Sequence, residues 1–180
     1  MREVLYEESI NPSNYNARKI ASGVFGALKI VNALIAIVYL FLSIFYLDSS
    51  IFKMLFFVAF AVVFFLLERG VFYCVDCAFI SGSTRLVKVI GYKKRKMIIS
   101  FEYNQVEQVG KIGSESFDKI YSDKNVKKIA ASPNKYADGS FYVYLKKDGI
   151  NYLVILDCKE DYLKNLVAFT GRRVIEKDYK

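Results

Sequence analysis

Residues 30–47 read IVNALIAIVYLFLSIFYL, and residues 51–67 read IFKMLFFVAFAVVFFLL. The first run has only Asn32 and Ser43 as clearly polar residues, and at about 1.5 Å per helical residue it covers most of a ~30 Å hydrocarbon core. A milder apolar stretch over residues 20–28 lengthens this helix toward its start. The sequence therefore predicts two transmembrane helices, over about residues 22–47 and 51–68.

The turn between these helices is short, because only Asp48, Ser49 and Ser50 separate the two apolar runs. Residues 20–69 are therefore predicted to form an antiparallel hairpin. Lys and Arg beside a span favour its cytoplasmic side, and Lys53 is the cation near the turn. We expect a multi-pass protein of the cell membrane with both termini in the cytoplasm. The cations on the terminal side are Arg18, Lys19, Lys29, Arg69, Arg85 and Lys88.

Two polar residues lie in the first helix, Lys29 and Asn32, about one turn apart. Polar groups inside a span are expensive and often functional, so this pair could line a polar seam or the groove of a partner. In the simpler interpretation Lys29 extends its ammonium group to the membrane interface, and Asn32 bonds across to the second helix.

The segment ahead of the hairpin, residues 1–19, is polar and of mixed charge. A secretory signal peptide would place a short apolar stretch soon after a basic start. Here the apolar run begins late and is too long. We expect a polar cytoplasmic segment with a turn at residues 11–14.

After Gly70 the hydrophobic period changes to short runs rich in β-branched and aromatic residues, which are typical of strands. Residues 93–96 and 147–149 are predicted hairpin turns, the second because of its Asp148-Gly149 pair. The predicted strands cover residues 71–80, 84–92, 97–103, 126–131, 141–146 and 150–156.

A closing helix is predicted over about residues 158–170. Asp157 followed by Glu160 is a variant of the capping box, and Gly171 is a typical C-terminal stop. One face is mostly apolar and should pack on the sheet; it consists of Tyr162, Leu163, Leu166, Val167 and Thr170.

The absence of histidine removes the usual general base and the commonest metal ligand. Cys74 and Cys77 have the spacing of a metal knuckle, but in a strand they point to opposite faces, and with Cys158 there are too few ligands for zinc. No phosphate loop or nucleophile elbow occurs. We expect a non-enzymatic protein with no metal and no cofactor.

The densest charge in the chain is Lys93-Lys94-Arg95-Lys96, with Arg85 and Lys88 on the strand leading to it. Beside a bilayer such a tip could contact anionic lipid headgroups. Alternatively it is a solvated turn that helps solubility. A basic pI also admits nucleic acid, but aromatic and basic residues interleave too weakly to favour it.

The order of elements resembles the bacterial pleckstrin-homology-like (PH-like) membrane proteins. The residues that carry the resemblance are 72–75, 86–89, 98–101, Val106, Val109, 141–156 and 158–169. The resemblance implies a seven-strand antiparallel partial barrel plugged by the final helix, with loops at the open end that bind phospholipid heads or protein. Six strands are visible, and a seventh could lie between residues 113 and 122, in a weakly patterned region, 113–139.

The sequence thus predicts an α+β membrane protein, in which a transmembrane hairpin precedes a cytoplasmic PH-like partial barrel over residues 70–180. Its expected role is that of a scaffold or binding protein that presents a basic domain at the membrane, with anionic lipids as one partner. An alternative is a small accessory subunit of a membrane transport or secretion complex, with the hairpin as its interface.

Overall fold

The computed structural model describes residues 5–46, 50–91, 94–134 and 140–176. The chain divides into two compact units. One runs from Asn14 to Tyr73, and the other combines the chain up to Ser13 with the chain from Cys74 onward. The first unit is helical, and the second contains all the strands of the described ranges.

The helical unit consists of α1 (Tyr15–Tyr46) and α2 (Ser50–Val71). Each is long and apolar enough to cross a membrane, and only 6% of each candidate span is buried. Large apolar side chains such as Phe45 and Phe52 are about three-quarters exposed. A core helix of a soluble protein would bury such side chains. The predicted turn residues Asp48 and Ser49 lie outside the described residues, and Ser50 is the first residue of α2.

Helix α1 begins at Tyr15, about seven residues earlier than the sequence analysis expects. Asn14 takes a left-handed conformation with φ of 58°, and its carbonyl accepts the first helical hydrogen bond from the amide of Arg18 at 3.0 Å. The polar residues at the start of α1 lack the apolar character from which the transmembrane helix is predicted. Their helical propensity is nevertheless adequate, so the helix is longer than the apolar run.

The first sheet contains four strands of the described chain, in the order β1-β2-β3-β4. A two-residue turn at Ser81 and Gly82, both with positive φ, joins β2 to β3. The strands are β1 (Leu5–Ile10), β2 (Tyr73–Ile80), β3 (Ser83–Ile90) and β4 (Lys94–Glu102).

Strand β1 corrects the prediction that residues 1–19 form a polar segment apart from the domain. It pairs antiparallel with β2, from Leu5 opposite Ile80 to Ile10 opposite Val75. Ile10 is buried at 6% exposure. In the order of the chain, the helical unit therefore lies between β1 and β2, which are neighbouring strands of one sheet.

The second sheet of the described chain has the order β5-β7-β8-β6. Its strands are β5 (Val106–Lys111), β6 (Val126–Ala131), β7 (Phe141–Lys147) and β8 (Ile150–Leu156). Asp148 and Gly149 form the predicted turn with φ of 52° and 75°. Strand β6 runs parallel to β8, which departs from the expected all-antiparallel arrangement.

Strands β5 and β6 run in the same direction at opposite edges of this sheet, so the chain must cross over between them, and α3 (Glu115–Ser122) lies in that connection. The seventh strand that could lie between residues 113 and 122 is not there, because residues 115–122 form this helix. The Ser114 hydroxyl caps the helix by accepting from the amide of Phe117 at 3.1 Å. Phe117 then packs under the helix against Tyr142 and Leu153 on the outer face of the second sheet.

Helix α4 (Glu160–Thr170) closes the main core, as predicted. Tyr162 is fully buried; its ring stacks on Phe141 and contacts Phe79 edge-on, and its hydroxyl lies 2.9 Å from Thr84 Oγ1. Gly171 ends the helix with φ of 83°. The predicted cap is wrong, because Lys159 occupies the N-cap position and Asp157 is engaged elsewhere.

Candidate functional site

The predicted cationic tip is part of a strand. Lys94, Arg95 and Lys96 open β4, whereas the turn before them begins at Gly91 with φ of 56°. Lys93 lies outside the described residues. Pairing with β3 continues as far as Ile90 opposite Lys94, so these three side chains alternate across the sheet instead of converging at a loop.

One face of this ribbon carries a set that we call the lysine face: Lys88, Lys94 and Lys96. Lys88 lies directly opposite Lys96 in the antiparallel register, and directly opposed residues project to the same side. Lys94 shares that side because it is two residues from Lys96. Burial, and then repulsion from Lys96, lowers the pKa of Lys88 below its ordinary value. Two cations are thus held side by side, and the Lys88 ammonium is the harder to keep charged because it is partly buried beside Lys96.

The two arginines lie on the opposite face. Arg95 Nη2 is 3.7 Å from Asp76 Oδ2, and both arginines line a groove of about 390 Å³ that also includes Glu7. Ser9 Oγ donates to Asp76 Oδ1 at 2.8 Å. Because acids compensate the arginines there, this groove has mixed charge. The structure therefore divides the predicted six-residue cluster into two surfaces.

The lysine face lies at one end of the first sheet. The Ser81-Gly82 turn defines the other end of the β2–β3 hairpin, so Ile90 and the start of β2 are at the same end. Ile10, the last residue of β1, is opposite Val75 and also belongs to this end. The chain therefore leaves and re-enters the β domain at the end of the sheet that carries the three lysines.

A polar network that no sequence motif predicts holds the segment after β1. Asn134 Oδ1 accepts from the Ser13 amide at 2.5 Å, and its Nδ2 donates to the Asn11 carbonyl at 3.3 Å and to Asp157 Oδ2 at 3.0 Å. Asp157 also accepts from Ser132 and Ser140. These partners are more than a hundred residues from Asn11 in sequence, so no local pattern could reveal them.

The polar residues of the hairpin take different partners from those expected. Lys29 Nζ bonds across to Glu68 Oε2 at 2.5 Å, whereas Asn32 Nδ2 donates to the Leu28 carbonyl of its own helix at 2.8 Å. Gly26 allows this approach, because a Cβ there would lie 3.3 Å from the Glu68 carboxylate. The interhelical polar contact is therefore an ion pair made by Lys29.

The three cysteines are buried free thiols. Cys74 Sγ donates to Asn11 Oδ1 at 3.3 Å. A hydrogen bond with Cys77, and then burial, raises the pKa of the Cys158 thiol far above its ordinary value. Among the described residues, no cluster of three or more His, Cys, Asp or Glu could hold a metal ion.

Two four-stranded sheets in the described chain, closed by a C-terminal helix, define an α+β domain of PH-like fold. The family model described as bacterial PH-like domain (DUF6106) matches residues 18–176. The chain belongs to this family, which confirms the predicted fold class and the resemblance. No curated protein and no solved structure matches the chain.

Proposed function

We propose that this protein is a membrane-anchored, non-enzymatic binding module whose lysine face contacts anionic phosphate groups of lipids at the cytoplasmic membrane surface. The observation that carries the proposal is the direct opposition of Lys88 and Lys96 in the β3–β4 register. Like charges directly opposite each other destabilise a strand pair. A surface that retains such a pair is well suited to an anionic ligand.

The chemistry of phosphate matches a pair of directly opposed ammonium groups. An anionic phosphate oxygen accepts strong, charge-assisted hydrogen bonds from ammonium groups. One bound between Lys88 and Lys96 would convert their repulsion into two attractions. Each Lys near an anionic bilayer contributes about 1 kcal/mol, so the three lysines together supply roughly 3 kcal/mol.

The anchor supports the same proposal through chain connectivity. Residues 11–14 join β1 to α1, and Phe72 alone separates α2 from β2. Both connections start from the end of the sheet that carries the lysine face. If α1 and α2 cross the bilayer, two short tethers keep that end close to the headgroups. Arg18, Lys19 and Arg69 favour a cytoplasmic location for this side of the hairpin.

The test uses the full chain in nanodiscs of phosphatidylcholine, with and without about one-third phosphatidylglycerol. Amide hydrogen exchange is measured along β3 and β4. We expect the anionic lipid to slow exchange there in the wild type, and a K88Q/K96Q variant to lose this protection because the phosphate ligands are gone.

A K119Q/K124Q variant is the matched control, since it removes the same charge from exposed positions at α3 and the turn after it. It should respond to phosphatidylglycerol as the wild type does. Equal protection in K88Q/K96Q would show that the lysine face is a solvated surface. An equal loss in both variants would show that net charge matters and the lysine arrangement does not.

A further inference from the structure

The two helices of the hairpin enclose a groove that runs along their interface. Its volume is about 410 Å³, within the range of small-ligand sites. Alanines form part of its wall, which leaves space where larger side chains would close the interface. Lining residues include Ala33, Ala36 and Leu40 from α1 and Val58, Ala61 and Val62 from α2.

One end of the groove is cationic. Lys29 and Phe65 line that end, with the Lys29 ammonium 5.7 Å from the centroid of the Phe65 ring. The guanidinium carbon of Arg69 lies 3.9 Å from the same centroid. Two cations therefore meet at one aromatic ring, while Glu68 contributes one negative charge through its pair with Lys29. The groove end carries one net positive charge from these three residues.

The Lys29 ammonium group can bind a second anion while it remains paired with Glu68. An ammonium group has three N–H donors, and its ion pair with Glu68 directs one toward a carboxylate oxygen. Arginine stacked on an aromatic ring is well suited to bind phosphate through its planar fork. An apolar channel with cations at one end matches the chemistry of an amphiphile with an anionic head.

We propose that the groove binds one acyl chain of an anionic phospholipid, whose phosphate is held by Lys29 and Arg69. The inference rests on the proposed membrane insertion of the hairpin. Within hydrocarbon, a groove open along its length fills with an acyl chain unless protein covers it. The two cations then select the headgroup of the bound lipid. They favour an anionic lipid over a zwitterionic one, because the phosphate charge of the anionic lipid is not balanced by an ammonium group in the same headgroup.

The absence of tryptophan from the sequence makes a clean fluorescence test available. Val62 lines the groove and Val63 does not, although the two are adjacent on α2 and similarly exposed, at 52% and 49%. V62W and V63W variants of the full chain are reconstituted into vesicles that contain brominated phosphatidylglycerol or brominated phosphatidylcholine. Bromine quenches a tryptophan that its acyl chain contacts.

We expect the V63W reporter to be quenched equally by the two lipids. The V62W reporter should prefer phosphatidylglycerol by roughly fivefold, the equivalent of about 1 kcal/mol for one net charge at the surface. Adding R69Q or A61L to V62W should return this preference to one, by removing a phosphate ligand or by filling the groove. A59L should leave the preference unchanged, since Ala59 is exposed on α2 outside the groove.

Three results would overturn the inference. Equal quenching of V62W by both lipids would mean that the groove does not select a headgroup. Quenching of V63W without quenching of V62W would mean that protein covers the groove, as expected for a subunit of a membrane complex. Quenching of neither reporter would mean that the helices are not in the bilayer, and the proposed function would fail with the inference.

Discussion

The hairpin exposes its large apolar side chains, whereas the β domain buries them. In the hairpin, large side chains such as Leu34, Phe45 and Phe52 are exposed, and the candidate spans are 6% buried. In the β domain, Phe79, Phe101 and Tyr142 are buried at 2% exposure or less. The hairpin depends on local helical hydrogen bonds, which a bilayer strengthens by excluding water. The β domain depends on contacts between residues far apart in sequence.

This difference predicts different responses to mutation. A helix in hydrocarbon satisfies its own backbone, so removal of a distant segment leaves it intact. A sheet that is missing one strand loses both hydrogen bonds and part of its core. Variants in each of the two units test that contrast.

Deletion of residues 1–10 from the full chain should abolish the cooperative unfolding of the β domain and leave the hairpin helical. The deletion removes β1, with the buried Ile10 and with Glu8, whose carboxylate accepts from Tyr6 and from the amide of Lys159. Hydrogen exchange resolves the two units. Deletion of residues 1–4 is the control, and retained protection in the β domain without β1 would contradict the prediction.

Tyr162→Ala should lower the free energy of unfolding of the β domain by about 3–5 kcal/mol, the usual effect of truncating a buried aromatic side chain. Tyr162 bridges the core through Phe79, Phe141 and Thr84. Tyr162→Phe keeps the ring and should cost about 1–2 kcal/mol, because the buried Thr84 hydroxyl loses its partner. Chemical denaturation measures both. Equal losses would show that the hydroxyl, and not the ring, provides the stability.

Gly110→Ala and Glu176→Ala should each cost about 2–3 kcal/mol, and the double variant should cost much less than the sum. The Glu176 carboxylate accepts from the Lys111 amide at 2.8 Å and from the hydroxyls of Ser114 and Tyr142 at 2.7 and 3.0 Å. A Cβ at residue 110 would fall on that carboxylate. Once the carboxylate is removed, the added methyl group has space. Strict additivity in a double-mutant cycle would contradict this packing.

The stability of the β domain should fall as pH rises above about 9. A hydrogen bond to Cys77 and burial raise the pKa of Cys158, and burial raises the pKa of Tyr162. As the pH rises, these groups lose their protons in the unfolded chain before they lose them in the folded chain. Their contribution to the free energy of unfolding is therefore complete below the unfolded pKa and is lost as the pH rises toward the folded pKa. Each contributes a slope of up to about 1.4 kcal/mol per pH unit.

Denaturation between pH 8 and 10.5 measures this slope, and Cys158→Ala should reduce it. The lowered pKa of Lys88 acts in the opposite direction, since stability from that group rises between its folded pKa and the unfolded value of 10.5. A slope unchanged by Cys158→Ala would exclude the thiol as a cause.

Lys29→Met and Glu68→Gln should each weaken the packing of α1 on α2 by about 0.6–1.7 kcal/mol, the range of polar interhelical contacts in membranes. Combining them should recover part of the loss, because neither charge is then left without its partner. Detergent-induced unfolding followed by circular dichroism measures the cycle. A Lys53→Met variant at the other end of the hairpin serves as the control.

Several elements followed from local sequence alone. The strands predicted at residues 126–131 and 150–156 are confirmed with the same bounds, and so is the Asp148-Gly149 turn. Two signals in the sequence were missed. Ser114 followed by Phe117, Ile120 and Tyr121 has the cap and spacing of a short helix, which is α3. Val106 and Val109 mark β5, whose strand character is weak without its partner β7.

The candidate site shows the limit of sequence reasoning more clearly. The sequence shows the high density of cations after residue 85, but it does not show that they are divided between the two faces of the sheet. Assignment of Lys94–Lys96 to a turn placed all the charges in one cluster, whereas strand pairing places Lys88 opposite Lys96 and sends Arg95 toward Asp76. The pairing of Lys29 with Glu68 could not be predicted from local sequence either, because the two residues are 39 positions apart in the chain.

Local sequence is enough to predict the two apolar helices, most of the strands and the closing helix, because periodicity and composition are properties of neighbouring residues. Tertiary structure alone decided that β1 joins the first sheet, that β6 lies parallel to β8, and that three lysines share a face at the end where the chain passes to the hairpin. These features depend on register between distant segments. Register is set by which side chains a common core can bury.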